Sequence, residues 1–352
     1  MDFTPLIMWL GFGMSAYAVV SNDVIQTLGT FLTSNENDVK WGVLWLYAAG
    51  IAMIVLTLGW FDPFDWYDYT RGVAYGRLDD FDMPQVYSWY YLLPPLVLIL
   101  ITRFGIPVST TFMILALFSL DQVPNDLNEI LKSMIQSDSI LGSMVQKSIL
   151  GYLIAFIFAF MIFVTFSLFT ERYFINNKLS SKERPLWITL QWGVTGFLWW
   201  QWLTQDLANI YIFLRGGDGK SSVVFFASLS LILLLLAFIF KRKGGAVQKV
   251  VREKINTTDI RSATFIDLIY GLVLYAFKDD YFGLWGAKIP MSTTWLFVGL
   301  LGGREIAIRI LLEKKVSKET QKIVLRDLFK IILGLIISLL LVFVIKFLII
   351  QE

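Results

Sequence analysis

Four apolar runs constrain this chain more than any other feature of its sequence. The clearest are Trp41–Trp60, Leu150–Phe169, Val223–Phe240 and Ile331–Ile350. Each is close to the ~20 residues that a helix needs to cross the hydrocarbon core of a bilayer. The whole chain of 352 residues is 56% hydrophobic, with a mean hydropathy of +0.64. The sequence therefore predicts an all-α polytopic membrane protein with the lipid bilayer as its surroundings.

Two residue types are missing, and their absence excludes several kinds of chemistry. The chain has no cysteine and no histidine, so disulfides, thiolate ligands, cysteine nucleophiles and imidazole bases are all ruled out. We expect no cofactor and no transition-metal site. No nucleophile–base pair is apparent, and we predict that the protein is not an enzyme. The basic stretch at 241–254 is explained by membrane topology, so we expect no nucleic-acid partner.

An unusual polar motif occurs twice and reveals an internal repeat. It is IPVSTTF at Ile106–Phe112 and IPMSTTW at Ile289–Trp295, so the second copy starts 183 residues after the first (289 minus 106). The same offset relates several further pairs: Trp9 and Trp192, Gly13 and Gly196, Ser21-Asn22-Asp23 and Thr204-Gln205-Asp206, and KSILG at 147–151 and KIILG at 330–334. We predict a first transmembrane repeat at 1–170, a cytoplasmic linker at 171–186 and a second repeat at 187–352.

Loop charge predicts that the two repeats are inverted. Window 61–83 has two basic and six acidic residues, whereas its equivalent 241–261 has seven and two. Window 121–146 has one basic and four acidic residues, whereas 304–329 has seven and four. Basic loops stay in the cytoplasm, so equivalent loops belong on opposite sides. We predict about five membrane segments per repeat, both termini outside the cytoplasmic membrane, and a short surface helix within 127–135.

Each repeat contains a polar cluster after its first apolar run, which predicts a broken helix at the membrane midplane. The run Leu6–Val20 is followed by Ser21-Asn22-Asp23, and Trp187–Leu203 by Thr204-Gln205-Asp206. Carboxylate, amide and hydroxyl oxygens form a hard ligand set that suits Na⁺, although an aspartate could instead carry a proton. The predicted cation-binding residues are Asn22, Asp23, Gln205 and Asp206. Weaker candidates are Ser21, Gln26, Thr27, Thr204 and Asn209. Asp267, by contrast, is expected at the cytoplasmic start of a helix.

The repeated Ser-Thr-Thr predicts an anion site. Proline suits the first turn of a helix, and serine or threonine there can cap free backbone N–H groups. A helix that starts inside the membrane would direct those donors and its positive dipole end at an oxyanion. Ser109, Thr110, Thr111, Ser292, Thr293 and Thr294 are the predicted substrate-binding residues.

Each motif alone also has a simpler explanation. One Ser-Thr-Thr in a membrane helix is usually a kink or an interhelical hydrogen bond, and an aspartate at a helix end is commonly a cap. The recurrence of both motifs at one offset favours a site built from two half-sites.

The motifs together resemble the inorganic phosphate transporter (PiT) family. SNDVIQTLGT is similar to the Asn-Asp signature that opens each half of that family, and TQDLAN to its second copy. IPVSTT and IPMSTT are similar to its Pro-Val-Ser-Thr-Thr-His motif. The likeness spans both halves of the chain. It implies Na⁺-coupled symport of inorganic phosphate by alternating access, with one repeat rocking against the other, and it makes a homodimer plausible.

The chain departs from that family pattern at several positions. The histidine after Ser-Thr-Thr is replaced by Phe112 and Trp295, and Gln205 stands where the second Asn-Asp has asparagine. The alternatives to phosphate symport are proton coupling, transport of sulfate or another oxyanion, and a transport-inactive anion-binding receptor. Near neutral pH phosphate still carries an O–H group that can donate a hydrogen bond, whereas sulfate carries none. Asp23 or Asp206 could accept that hydrogen bond, which favours phosphate.

Overall fold

The computed structural model of the chain describes residues 3–61, 73–78, 81, 84, 87–103, 108–122, 129, 132, 139–166, 173–174, 176–215, 221–243, 259–278, 292–313 and 318–349. These residues form helices and connections, with no strand among them. Most of the predicted surface helix within 127–135 and most of the loop windows 61–83 and 241–261 lie outside the described residues.

The described residues of the first half form five α-helices. They are α1 (Thr4–Asn35), α2 (Trp41–Phe61), α3 (Leu93–Arg103), α4 (Thr110–Leu115) and α5 (Ile140–Phe166). A 3₁₀ turn, Trp89–Leu92, precedes α3, and a longer 3₁₀ segment, Ala116–Gln122, continues α4.

In the second half, the part of the chain that the structure describes forms six α-helices. They are α6 (Arg184–Asp206), α7 (Ala208–Tyr211), α8 (Ser222–Lys241), α9 (Ile260–Lys278), α10 (Thr293–Glu313) and α11 (Lys318–Val344). A 3₁₀ turn, Ile212–Leu214, follows α7, and a π-helical turn, Ile345–Ile349, ends α11.

Five of the described helices are long and apolar enough to cross a membrane. Their spans are Thr4–Val24, Trp41–Phe61, Gly142–Ile162, Ser222–Lys241 and Val324–Phe347. The outward faces of such helices carry exposed leucines, including Leu46, Leu153 and Leu234, as expected of surfaces that contact lipid. The chain is therefore a helical protein with the features of a multi-pass membrane protein.

The described helices do not provide five full membrane crossings in each half. Among the described helices of the first half, only α1, α2 and α5 have sufficient length. The helices α3 and α4 span 11 and 6 residues, and at ~1.5 Å per residue each falls well short of a ~30 Å core. They are half-helices: α3 ends before the first Ser-Thr-Thr motif, and α4 begins inside it, at Thr110.

The prediction of a broken helix is wrong for the first polar cluster. Helix α1 runs without interruption from Thr4 to Asn35, straight through Asn22 and Asp23. Their side chains find partners on other helices, so the backbone of α1 does not need to open. In the second half α6 ends at Asp206 and α7 begins at Ala208. Even there Leu207 keeps helical angles, with φ −59° and ψ −23°, so the interruption is slight.

The most extensive helix contacts join α5 to α10 and α6 to α9. Small residues let the first pair approach closely: a Cβ on Gly299 would lie 2.6 Å from the Tyr152 carbonyl oxygen, and one on Gly303 would lie closer still to that of Phe156. Close packing through small residues is the usual means of association in membranes. Helix α1 contacts α6, α8, α9 and α10, which places its polar residues at the centre of the bundle.

Candidate functional site

The Asp23 carboxylate lies at the centre of a buried polar cluster. It is 1% exposed and accepts hydrogen bonds from residues of both halves. Asn22 Nδ2 donates to Oδ1 at 2.7 Å, and the Thr294 hydroxyl reaches the same oxygen at 3.5 Å. The Thr110 hydroxyl donates to Oδ2. The first carboxylate is therefore held by donors from α1, α4 and α10.

Asp206 lies in the same cluster but is held less closely. Its Oδ1 accepts from the Thr111 hydroxyl at 3.4 Å and from Asn209 Nδ2 at 3.3 Å, while no described donor bonds its buried Oδ2. The Thr293 hydroxyl faces this carboxylate. Asn209 Nδ2 also contacts the hydroxyls of Thr110 and Thr111, each at 3.1 Å. Asn209 is therefore the link between the two carboxylates.

Both Ser-Thr-Thr motifs start a helix, as the sequence predicts. Ser109 is the N-cap of α4, and its Oγ accepts from the Phe112 N–H at 3.1 Å. Ser292 Oγ accepts from the Trp295 N–H at 3.3 Å. The helices begin at Thr110 and Thr293, which are separated by the repeat offset of 183 (293 minus 110). Serine capping is thus confirmed at both motifs.

The prolines of the two motifs, Pro107 and Pro290, lie outside the described residues. Their expected position in a first helical turn therefore stays a prediction.

The electrostatics of the cluster are dominated by two carboxylates of like charge. Asp23 and Asp206 are close enough to repel each other, and both are at most 1% exposed. The Arg77 guanidinium lies close enough to Asp206 to attract it. A pair of buried carboxylates is costly unless a proton or a metal cation neutralises part of the charge.

The remaining candidates have peripheral roles. Gln26 donates to Asn22 Oδ1 at 3.2 Å, and the Thr27 hydroxyl donates to the Asp23 backbone oxygen at 2.9 Å. Ser21 and Thr204 donate to the backbone of their own helices. Gln205 is fully buried beside Asp206. The structure therefore gathers Asn22, Asp23, Asp206, Asn209 and the threonines into one cluster and leaves Ser21 at its edge.

Two basic residues near the cluster were not predicted. Arg77 Nη2 donates to the Lys278 backbone oxygen at 2.8 Å, and Lys278 Nζ donates to Gln201 Oε1 at 3.1 Å. In the sequence Arg77 contributed only to loop charge. The signal that pointed to Asn209 was its place just after the polar cluster Thr204-Gln205-Asp206.

Asp267 is not at a helix start, contrary to expectation. It is the eighth residue of α9, buried to 1% exposure. Its contacts are with α1 and α6, since the hydroxyls of Thr30 and Thr195 donate to its two carboxylate oxygens.

Comparison with protein-family models, characterised proteins and solved structures found no match to this chain.

Proposed function

We propose that this protein is a secondary active transporter that couples Na⁺ entry to the uptake of inorganic phosphate across the cytoplasmic membrane. One observation carries the proposal: two helix starts with three hydroxyl residues each, one from either half, meet two aspartates in a single buried cluster. The likeness to the PiT family supports it through the motifs alone, because no comparison supplied a relative.

The two aspartates are the proposed cation ligands. Two repelling carboxylates inside the membrane favour binding of a cation, and the described residues offer Na⁺ only hard oxygen ligands. The Asp206 Oδ2 atom, buried and without a hydrogen-bond donor, is the position most ready to receive one. Asn22 and Asn209 add amide oxygens beside the two carboxylates.

The Ser-Thr-Thr helix starts are the proposed phosphate ligands. In the structure Thr110 and Thr294 donate to Asp23, and Thr111 donates to Asp206. Phosphate would have to compete with those carboxylates for the same donors. Na⁺ binding would weaken that competition by neutralising the carboxylates, so cation binding before anion binding follows from the contacts. A protonated phosphate oxygen could donate to an aspartate, which sulfate could not.

The proposed architecture is an inverted repeat that works by alternating access. Several contacts support the predicted sides. Arg184, near the end of the linker, forms an ion pair with Asp38 after α1, and Arg261 at the start of α9 donates to the linker carbonyls of Phe174 and Asn177, each at 2.9 Å. The linker and the basic loop before α9 are predicted to be cytoplasmic, and the connection after α1 lies on that side if α1 crosses the membrane from an outside N-terminus. A re-entrant pair of α3 and α4 in place of two crossings leaves these sides unchanged.

The experiment that tests the function is uptake of labelled phosphate into proteoliposomes. Na⁺-driven uptake that excess unlabelled sulfate does not suppress is expected. Uptake driven only by a proton gradient would assign a different coupling ion, and sulfate flux a different substrate. Phosphate binding without flux would indicate a receptor. Thr110→Val should reduce uptake about 10- to 100-fold, the equivalent of about 1.4–3 kcal/mol.

Thr102→Val is the matched control for Thr110→Val. Thr102 is also a buried threonine in a half-helix, but its hydroxyl donates at 2.7 Å to the Leu98 carbonyl of its own helix. It should retain uptake. Equal losses in the two variants would mean that Thr110 acts through packing alone.

The topology can be tested separately, because the chain has no native cysteine. A single cysteine at Ser181, an exposed linker residue, should be labelled by an impermeant maleimide only after the membrane is opened. Labelling in intact cells would place the linker outside and reverse the proposed orientation.

A further inference from the structure

A third buried carboxylate lies at the junction of three helices, away from the candidate site. Asp267 of α9 accepts hydrogen bonds from Thr30 of α1 and, at 2.7 Å, from Thr195 of α6. All three residues are at most 2% exposed. The junction therefore joins the first long helix of each half through side-chain oxygens.

The charge of Asp267 has no basic partner among the described residues. Its hydrogen bonds are those from the two threonines, and the ionisable group that faces it from α2 is the Tyr47 phenol. An asparagine would satisfy the same two hydroxyls without the cost of burying a charge. A carboxylate at this point in a membrane is characteristic of a site that receives a cation.

A seam of polar side chains connects Asp267 to the candidate site and to the end of α1. Thr27, Thr30 and Ser34 succeed one another at spacings of three and four residues, so they share one face of α1. Thr27 lies one turn beyond Asp23, and its hydroxyl donates to the Asp23 backbone oxygen. At the other end Asn35 Nδ2 donates to Gln191 Oε1 at 2.8 Å.

The seam also reaches the second Ser-Thr-Thr helix. Tyr270, three residues after Asp267 on α9, donates to the Thr293 backbone oxygen at 3.3 Å. The hydroxyl of Tyr270 lies beside that of Thr27. Oxygen-bearing side chains therefore extend from the two-aspartate cluster, past Asp267, to the side of the membrane on which α1 ends.

We propose that Asp267, with the hydroxyl oxygens of Thr30 and Thr195, binds a second Na⁺ on this seam. A threonine hydroxyl has two lone pairs besides its donor proton, so rotation of the two hydroxyls would present their oxygens to an ion held by the carboxylate. Binding at this position does not depend on the proposed function; its use as a station for ion release does.

The test is Na⁺-dependent thermal unfolding of the purified full chain in detergent, without phosphate. NaCl is exchanged for choline chloride at constant ionic strength. Asp23→Asn with Asp206→Asn removes the charges of the candidate site, and this double variant should still be stabilised by Na⁺. Adding Asp267→Asn should abolish the remaining shift in Tm. A triple variant that keeps the shift, or a double variant that has lost it entirely, overturns the proposal.

A second pair of variants keeps the test valid if the double variant does not fold. Thr195→Val in the otherwise native chain should raise the Na⁺ concentration needed for stabilisation about 10-fold, or about 1.4 kcal/mol. Thr189→Val is its control, since Thr189 is exposed on the same helix and donates to the Pro185 carbonyl at 3.0 Å. The same Na⁺ dependence of Tm in both variants would overturn the site. A Tm that changes with pH but not with Na⁺ would also overturn it.

These measurements separate the two proposals. They involve neither phosphate nor transport, so failure of the symport proposal leaves them unaffected. Conversely, normal Na⁺-driven phosphate uptake together with an unchanged Na⁺ response in Asp267→Asn would remove only the second site.

Discussion

The two halves of the chain each combine an aspartate-bearing helix with a Ser-Thr-Thr helix, but the regularity of the two helices is reversed between the halves. In the first half the aspartate is on an unbroken helix, α1, and the Ser-Thr-Thr helix α4 is only six residues long. In the second half the aspartate helix is interrupted at Leu207, whereas α10 extends for 21 residues. The carboxylate on the unbroken helix is bonded at both oxygens, and the other one is not. The difference indicates that the first half supplies a fixed ligand and the second an adaptable one.

Asparagine at the two aspartates should give the largest contrast. Asp206→Asn keeps Oδ1 as the acceptor for Thr111 and Asn209 and removes the repulsion from Asp23, so we expect it to destabilise the protein less than Asp23→Asn does. In Asp23→Asn an amide group faces the Thr110 hydroxyl, whose oxygen already accepts a hydrogen bond from Asn209. We expect the free energy of unfolding to fall by about 1–3 kcal/mol. Both variants should lose Na⁺-driven phosphate uptake about 10- to 100-fold. Thermal unfolding and proteoliposome uptake measure the two effects. Equal destabilisation would refute the division of roles.

The close approach of α10 to α5 should be the next most sensitive difference. The residue of the first half that corresponds to Gly299 is Ala116 (299 minus 183), where α4 changes to a 3₁₀ segment. Gly299→Ala would set a methyl group 2.6 Å from the Tyr152 carbonyl oxygen and should destabilise the protein by about 1–3 kcal/mol.

Gly50→Ala in α2 is the control for that change. A Cβ there meets no atom within 4 Å, so it should stabilise by up to about 1 kcal/mol through helix propensity. Unfolding of both variants in detergent gives the comparison, and a neutral Gly299→Ala would show that the two Ser-Thr-Thr helices tolerate the same packing.

The serine caps should behave alike despite the different lengths of their helices. Ser109→Ala and Ser292→Ala each remove one acceptor for a first-turn N–H and should cost about 1 kcal/mol. Ser338→Ala, where the hydroxyl donates to the Gly334 carbonyl inside α11, should be neutral or slightly stabilising. A cost confined to Ser292→Ala would mean that α4 does not depend on its cap.

The smallest expected effect concerns the junction of the two halves and depends on pH. Burial acts to raise the pKa of Asp259, but hydrogen bonds and charge from Arg261 outweigh it and lower the pKa. The resulting stability is present above the ordinary aspartate value of about 3.9 and is lost as pH falls through the lower folded value. Since Asp259 is partly exposed, the effect should be a few tenths of a kcal/mol.

Asp259→Asn should remove this part of the acid sensitivity of unfolding. Asp38→Asn, at an exposed ion pair, provides the control. Identical acid transitions for Asp259→Asn and the unsubstituted chain would show that this contact contributes nothing.

The sequence predicted those features that depend on local chemistry. Apolar length located α2, α5, α8 and α11, and the repeat offset located both helix starts, because serine capping is decided within one turn. The offset also paired Asp23 with Asp206. Their meeting in one cluster needed only that the two halves pack face to face.

What the sequence could not predict depends on contacts between distant segments. The continuity of α1 follows from partners such as Thr110, which are 87 residues away. Asp267 was misplaced because its environment is set by Thr30 and Thr195 on two other helices. Arg77 was missed because its guanidinium contacts a distant helix, α9, at the Lys278 carbonyl. Such contacts between distant segments cannot be predicted from composition.

The glycine contact between α5 and α10 has a mechanical consequence. Helix α5 belongs to the first half of the chain and α10 to the second, yet their backbones touch at Gly299 and Gly303. Two helices in such contact move together, so the bodies that shift in the proposed transport cycle would each combine helices from both halves. A covalent cross-link between α5 and α10 should then leave the proposed uptake unchanged. If the sequence halves themselves rock apart, the same cross-link would block that uptake.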